Sequence, residues 1–368
     1  MEHRMALSKT RKLALAGVLG ASSLLLAGCG VNPPDNAFFR ALRFGWPKGI
    51  TPEATQMGNF WVWVWVAAWI IGIVMWGLLI FAVVNFSAKR AEKKGKGEFP
   101  RQTGYNVPLE LVLTTIPILI VMVLFFFTVQ TQGTVTAQDK DPKVKVDVTG
   151  FQWNWKFGYG EVDASLNGGT TYQGVDREAQ DKAEGSQFES TTRGEEGESV
   201  GPIHGRAKDD YSYLNFDKIE TLGSTEEVPV LVLPSNTPIE FNLASADVIH
   251  SFWVPEFLFK RDVFPHPEAN QSERRFQISS IDQEGAFVGR CAEMCGTYHA
   301  MMNFEVRVVS PEKFTSYIQY REQHPKAPNS EALESIGEKG FATSTKPFVP
   351  GREMTRDGNN SVDRNQAA

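Results

Sequence analysis

Two uncharged apolar runs in the first third of the chain decide what it can fold into. Phe60 to Phe86 holds no charged residue, and a second apolar run extends from about Leu111 to Val129. A helix of about 20 apolar residues crosses the hydrocarbon core of a bilayer, so the chain is expected to pass through a membrane twice. The first run opens on Phe60-Trp61-Val62-Trp63-Val64-Trp65, which sets indoles where an interfacial belt needs them. The second contains Pro117, a kink point that spanning helices tolerate. Between them stand Lys89, Arg90, Lys93, Lys94, Lys96 and Arg101. The positive-inside rule assigns that loop to the cytoplasm, and both outer ends of the hairpin then face outward.

The N-terminus points the same way. Lys9, Arg11 and Lys12 precede an apolar stretch from Leu13 to Leu26, and Leu26-Ala27-Gly28-Cys29 follows at once. This is an export-signal pattern, and its end resembles a bacterial lipobox, in which the cysteine is acylated and becomes the first mature residue. An ordinary signal peptide with a chance cysteine, or an uncleaved anchor, is the plainer alternative. Small residues before Cys29 and polar sequence after it favour lipidation. Acylation would require an outside N-terminus, in agreement with the basic loop.

After Val129 the chain turns polar and strand-like. Lys143–Thr149 alternates with period two, and Phe151–Tyr159, Val228–Leu233, Pro238–Ala244, Arg274–Ser279 and Phe304–Val309 are further strand candidates. Short strands separated by Gly and Pro indicate a sandwich or barrel. Pro311–Gln323 reads as a helix with Ser310 as its N-cap. From Glu161 to Glu227 the composition shifts to Gly, Asp, Glu, Ser and Thr, with a net charge of about −10. Such sequence buries no core and is expected to loop out between strands. The resulting division is signal peptide 1–28, outer segment 29–58, span 59–86, cytoplasmic loop 87–106, span 107–130, β domain 131–325 with the acidic insertion 161–227, and a polar, Pro- and Gly-containing tail 326–368 that is expected to be poorly ordered. The whole-chain charge of −6 argues against a nucleic-acid partner.

The chemistry concentrates in Cys291-Ala292-Glu293-Met294-Cys295-Gly296-Thr297-Tyr298-His299-Ala300-Met301-Met302. Two thiols, an imidazole and a thioether in one short loop select copper, or zinc, over hard cations. A tetrahedral zinc site uses no thioether, and a mononuclear blue-copper site needs one Cys. The second thiolate points to two metals bridged by two sulfurs. A second imidazole must come from elsewhere, and His250, in Asp247-Val248-Ile249-His250-Ser251-Phe252-Trp253, stands at a candidate strand edge. His204, His266 and His324 lack partners at ligand spacing and read as surface residues.

This pattern resembles cytochrome c oxidase subunit II, whose motif C-x-E-x-C-x-x-x-H-x-x-M is matched at every position. The resemblance implies an all-β cupredoxin-like sandwich behind a two-helix transmembrane hairpin, carrying the two-copper centre CuA. By the same resemblance, Cys291 and Cys295 bridge the coppers, His250 and His299 each cap one, and Met302 with the Glu293 carbonyl completes the set. The Glu293 side chain would share a magnesium ion with subunit I, which carries the haem. Trp153 in Gly150-Phe151-Gln152-Trp153-Asn154-Trp155 would be where electrons arrive, although Phe151 replaces a His common in relatives. Read as one strand, this segment sets Trp153 and Trp155 on the same face, so simple packing is the alternative. Glu110, seven residues before Pro117, would mark the mouth of a proton pathway, or merely anchor a span end. Asp262 would support the magnesium site.

The implied function is transfer of electrons from cytochrome c to haem in subunit I, for reduction of dioxygen to water coupled to proton pumping in the bacterial plasma membrane. The implied partners are subunit I, other oxidase subunits, cytochrome c and lipid. The lipobox and the acidic insertion together resemble actinobacterial members, whose donor is a membrane-bound dihaem cytochrome c of a bc complex held in a supercomplex. A copper-delivery protein also uses CxxxC with a distant His, but typically on a thioredoxin-like fold with one span. A quinol-oxidase relative would lack the ligands, and nitrous oxide reductase would lack the hairpin.

Overall fold

The computed structural model describes residues 32–95, 104–138, 140–180 and 213–347. The expected signal peptide, Cys29, Lys96, Arg101, the middle of the acidic insertion with His204, and the tail beyond 347 lie outside the described residues. The chain divides into a helical unit and a β unit, the latter comprising residues 47–55 and everything from 135 onward.

In the helical unit, α1 (Ala37–Ala41) is capped by Asn36, whose side chain accepts the Phe39 N–H. The long helix α2 (Pro52–Asn85) starts earlier than the apolar run alone suggests. Thr51 Oγ1 accepts the Ala54 N–H at 3.0 Å, and Pro52 supplies a pre-set first turn. A short α3 (Ala88–Lys93) carries part of the basic loop, and α4 (Val107–Thr136) runs with Pro117 inside it. Both α2 and α4 are long and apolar enough to cross a membrane. Their surfaces present Ile73, Trp76, Val83, Val121 and Phe125 to the outside, which only lipid or apolar protein covers favourably. At the start of α2, Trp46 stacks on Trp61 with ring centres 4.4 Å apart, and Phe44 lies 4.3 Å from Trp65. The indole run therefore forms an aromatic cluster.

The β unit is a sandwich. Its first sheet is built from β1 (Val144–Phe151), β2 (Asn154–Val162), β3 (Tyr172–Gln173), β4 (Glu220–Leu222), β6 (Ile239–Ser245) and β9 (Arg275–Ile278), in the order β3-β2-β1-β6-β9 with β4 also on β2. The second comprises β5 (Val230–Pro234), β7 (His250–Val254), β8 (Phe259–Val263), β10 (Gly285–Cys291) and β11 (Asn303–Val309), in the order β5-β11-β10-β7-β8. Two pairings, β1 with β6 and β5 with β11, are parallel. Aromatic rings fill the space between the sheets: Trp155 and Phe241 from the first meet Phe252 and Phe304 from the second at 5.3–6.1 Å. Burying each such side chain stabilises the fold by about 1.5–3 kcal/mol, and the layer reaches the Cys291–Met302 loop, where Trp155 donates Nε1–H to the Met302 carbonyl.

Three sequence expectations change. Phe151–Tyr159 is not one strand: β1 ends at Phe151, Gln152 and Trp153 form a tight turn, and β2 returns from Asn154. The alternation of aromatic and polar residues from Phe151 to Phe157 mimics a single strand and hides a turn that contains no Gly or Pro. The ends of the acidic insertion do bury side chains, since Leu166, Tyr172, Leu214 and Ile219 are buried and β3 and β4 join the first sheet. The tail is also built in as far as residue 347. Following α5 (Pro311–Gln323), α6 (Asn329–Ser335) buries Ala332 and Leu333 in the core. Glu305, fully buried, then accepts the N–H groups of Thr343 and Ser344, each at 2.6 Å. Polar composition misled here because the polar groups of this segment are satisfied by the domain itself.

Candidate metal centre

His250 opens β7, and Cys291 closes β10, the strand paired beside it through Arg290–Trp253 and Cys291–Phe252. Sheet register alone thus brings together two residues 41 positions apart. The connection from β10 to β11 is the motif loop, and a single 3₁₀ turn at His299–Met301 folds its second half back. The Nδ1 of His250 lies 3.9 Å from Cys291 Sγ, and the two sulfurs are 3.8 Å apart. On the other side, His299 Nδ1 lies 3.5 Å and Met302 Sδ 3.9 Å from Cys295 Sγ. The Glu293 carbonyl oxygen is 3.2 Å from Cys291 Sγ. The donors form two mirrored halves, each with a thiol, an imidazole and one weak ligand. His250, Cys291, Cys295 and Met302 are buried, while Met294 is exposed.

The thiols are free, and their separation is far beyond a disulfide bond of about 2.05 Å. It does suit sulfurs that share a metal at about 2.3 Å, which can stand at most about 4.6 Å apart. The acid–base balance agrees. Burial raises Cys291, but hydrogen bonding with His250 and with the backbone of Glu293 and Ser251 outweighs it and brings the thiol down to about 7. Burial and the neighbouring Cys291 push Cys295 up to about 12. Cys291 is therefore the readier of the two thiols to ionise, and holding a metal between them requires both to do so.

Asp247, which the sequence reading passed over, orients the first imidazole: its Oδ1 lies 2.8 Å from His250 Nε2. Burial raises this carboxyl, yet His250 and the N–H groups of Gln152 and Val248 hold it below the ordinary range. A carboxylate behind a ligand histidine fixes both ring tautomer and direction. Its only sequence signal is an acidic residue three positions before the His. Among the described residues, His250, Cys291 and Cys295 form a compact cluster of metal-ligating groups, with ligand atoms within 4.8 Å of one another.

Residues 211–309 match the family described as cytochrome C oxidase subunit II, periplasmic domain. Over 98% of this chain and 99% of the relative, the sequence is 63% identical to cytochrome c oxidase subunit 2 of Corynebacterium glutamicum. The chain belongs to the cytochrome c oxidase subunit II family. The subunit 2 of Mycobacterium tuberculosis is 51% identical over 92% of this chain and 89% of that one. Among solved structures, the periplasmic domain of subunit II of cytochrome oxidase of Bradyrhizobium japonicum is 23% identical, covering 50% of this chain and 96% of that one with a TM-score of 0.29. As a subunit II, the chain works within an oxidase complex beside other oxidase subunits.

The other residues expected of a subunit II fall in three places. Trp153 and Trp155 do not share a face. Trp153 sits in the β1–β2 turn against the ligand loop, donating Nε1–H to the Cys295 carbonyl at 3.0 Å and meeting the Tyr298 ring edge-on at 5.0 Å. Trp155 lies in the core and donates to the Met302 carbonyl at 3.3 Å. Asp262, on β8, bonds Ser251 and Lys260, and Lys260 Nζ lies 3.8 Å from Glu293, so one lysine links the two carboxylates. Glu110 is in the helical unit, where its Oε1 accepts the Asn106 N–H at 3.1 Å in the first turn of α4. His266, expected at the surface, is buried against the Tyr213 ring, while His324 is exposed and stacks on Tyr320.

Proposed function

We propose that this chain receives electrons one at a time from cytochrome c and passes them to haem in subunit I, where dioxygen is reduced to water and protons are pumped. The observation that carries the reading is the pair of free sulfurs 3.8 Å apart, flanked on each side by an imidazole. Cys291 and Cys295 would bridge two coppers, with His250 and His299 capping them and Met302 and the Glu293 carbonyl completing the set. When bound, two coppers sharing two thiolates supply a centre that gains or loses one electron with little change in bond length. The protein's own part is to keep the donors fixed and dry. Strand pairing holds His250 against Cys291, Asp247 fixes the imidazole, and the aromatic layer beneath prevents relaxation. Trp153, half-buried between solvent and the Cys295 carbonyl, is the group through which electrons would arrive.

The same reading places α2 and α4 in the bacterial plasma membrane as the two spans, with the basic loop inside, the β unit outside and Cys29 acylated. Glu293 would hold a magnesium ion with subunit I, Asp262 acting through Lys260. Glu110 would stand at the mouth of a proton pathway. The acidic insertion would dock a membrane-bound dihaem cytochrome c of a bc complex in a supercomplex.

Copper analysis and electron paramagnetic resonance of the full chain in its oxidase test the central claim. Two coppers per chain with one electron shared over both are expected; a single colourless Cu(I) would overturn it in favour of copper delivery. Trp153→Phe should slow electron arrival with copper content unchanged, and Glu110→Ala should lower turnover and proton uptake. Deleting 181–212 should weaken recovery of the supercomplex. A mass spectrum of the mature N-terminus decides the acylation of Cys29.

A further inference from the structure

The β1–β2 turn does more than present Trp153. Gln152, at its tip, makes two long-range contacts with the ligand set. Its main-chain N–H donates to Asp247 Oδ2 at 2.6 Å, and the other oxygen of that carboxylate faces His250 Nε2 at 2.8 Å. Its side-chain Nε2–H donates to the Cys295 carbonyl at 2.8 Å. One residue therefore touches the support of the first imidazole and the backbone of the second thiol, which belong to different halves of the donor set.

The loop is shaped to admit this contact. Gly296 follows Cys295 at φ +115°, a conformation side chains rarely adopt. A Cβ there would stand 3.2 Å from both Gln152 Nε2 and Trp153 Nε1. The missing side chain lets two N–H donors converge on a single carbonyl, 2.8 and 3.0 Å away.

We propose that Gln152 is a positioning residue for the metal loop, clamping Asp247 and the Cys295 carbonyl from one turn so that the two halves of the donor set keep a single spacing. The inference rests on the copper reading above. Partners behind the ligands govern affinity and electronic character because they set ligand direction and local potential. The amide N–H dipole, directed at the loop, also favours the more negative, reduced state of the centre. Losing it lowers the midpoint potential.

The test is Gln152→Met, of similar length but without a donor, in the full chain purified with its oxidase; Gln152→Glu is a second donor-removing variant. The side chain lies on the surface, and melting curves establish that the variants fold. Both should retain two coppers but show an altered copper hyperfine pattern, a lower midpoint potential and loss of copper to a chelator about tenfold faster or more. All three readouts are taken without an electron donor, so a role in docking alone would leave them unmoved. Parent-like spectra, potential and chelator kinetics in both variants would overturn the proposal while leaving the copper reading intact. A parent chain without a shared-electron copper pair would overturn the reading beneath it.

Discussion

A single methyl group placed under His250 should test the centre without removing any donor. Gly150, on β1, lies flat against that imidazole: a Cβ built there falls 2.9 Å from Cδ2, 3.2 Å from Cγ and 3.3 Å from Cβ of His250, where ordinary contact begins at 3.4 Å. In Gly150→Ala the ring must therefore give way by about 0.5 Å. It has little room, being fully buried, held by Asp247 on one nitrogen and facing Cys291 with the other. Overpacking of this kind costs about 1–3 kcal/mol of stability. The displacement also exceeds the roughly 0.2 Å tolerance of metal–ligand distances, so copper affinity should fall about 10–100-fold, equivalent to roughly 1.4–2.7 kcal/mol. Chelator competition and thermal melting of the full chain measure the two effects, with Gly104→Ala, whose Cβ meets nothing within 4 Å, as control. Parent-like affinity and melting in Gly150→Ala would refute the idea that a rigid bed sets the His250 position.

Further perturbations probe other parts of the β unit. Burial, with Asp147 and Glu220 nearby, holds Asp217 up to about 8, while the unfolded chain releases that proton near 4. The proton's contribution to stability is thus complete below about pH 4 and lost as pH rises to about 8. Asp217→Asn should flatten the pH dependence of melting across that window, and a slope parallel to the parent's would count against a buried Asp217 that keeps its proton. Glu305→Ala removes the buried partner of Arg307 and the acceptor of Thr343 and Ser344. It should cost about 3 kcal/mol or more and expose residues 338–344 to limited proteolysis; continued resistance there would contradict the clamp. Trp155→Phe leaves the Met302 carbonyl with the Cys291 N–H but without its indole partner, at a cost of about 0.5–1.5 kcal/mol, and an unchanged denaturation midpoint would show that bond to be idle.

How much was legible beforehand follows from the range of each interaction. The Ser310-Pro311 helix start and the two apolar helices depend on neighbours within a few turns, and local pattern predicted both. The β1–β2 turn and α6 were missed because their stability comes from residues far away: Trp153 and Gln152 reach a carbonyl more than 140 positions on, and Asn329, which opens α6, donates to the Val230 carbonyl 99 positions back. Strand β10 was missed for a related reason. Gly285–Cys291 lacks clean alternation, and its pairing with β7 and β11 decides its conformation.

The amino-acid order alone determined that the chain carries two membrane-length apolar helices and a twelve-residue loop rich in soft ligands, because hydropathy and donor chemistry are properties of contiguous residues. The folded sandwich decided the rest. It set His250 beside Cys291 by strand register, split Trp153 from Trp155, and brought Gln152 onto both halves of the donor set. The two Gln152 contacts join residues 95 and 143 positions apart. They exist only once the sheets have closed, since no local preference of the backbone encodes a distance between remote strands.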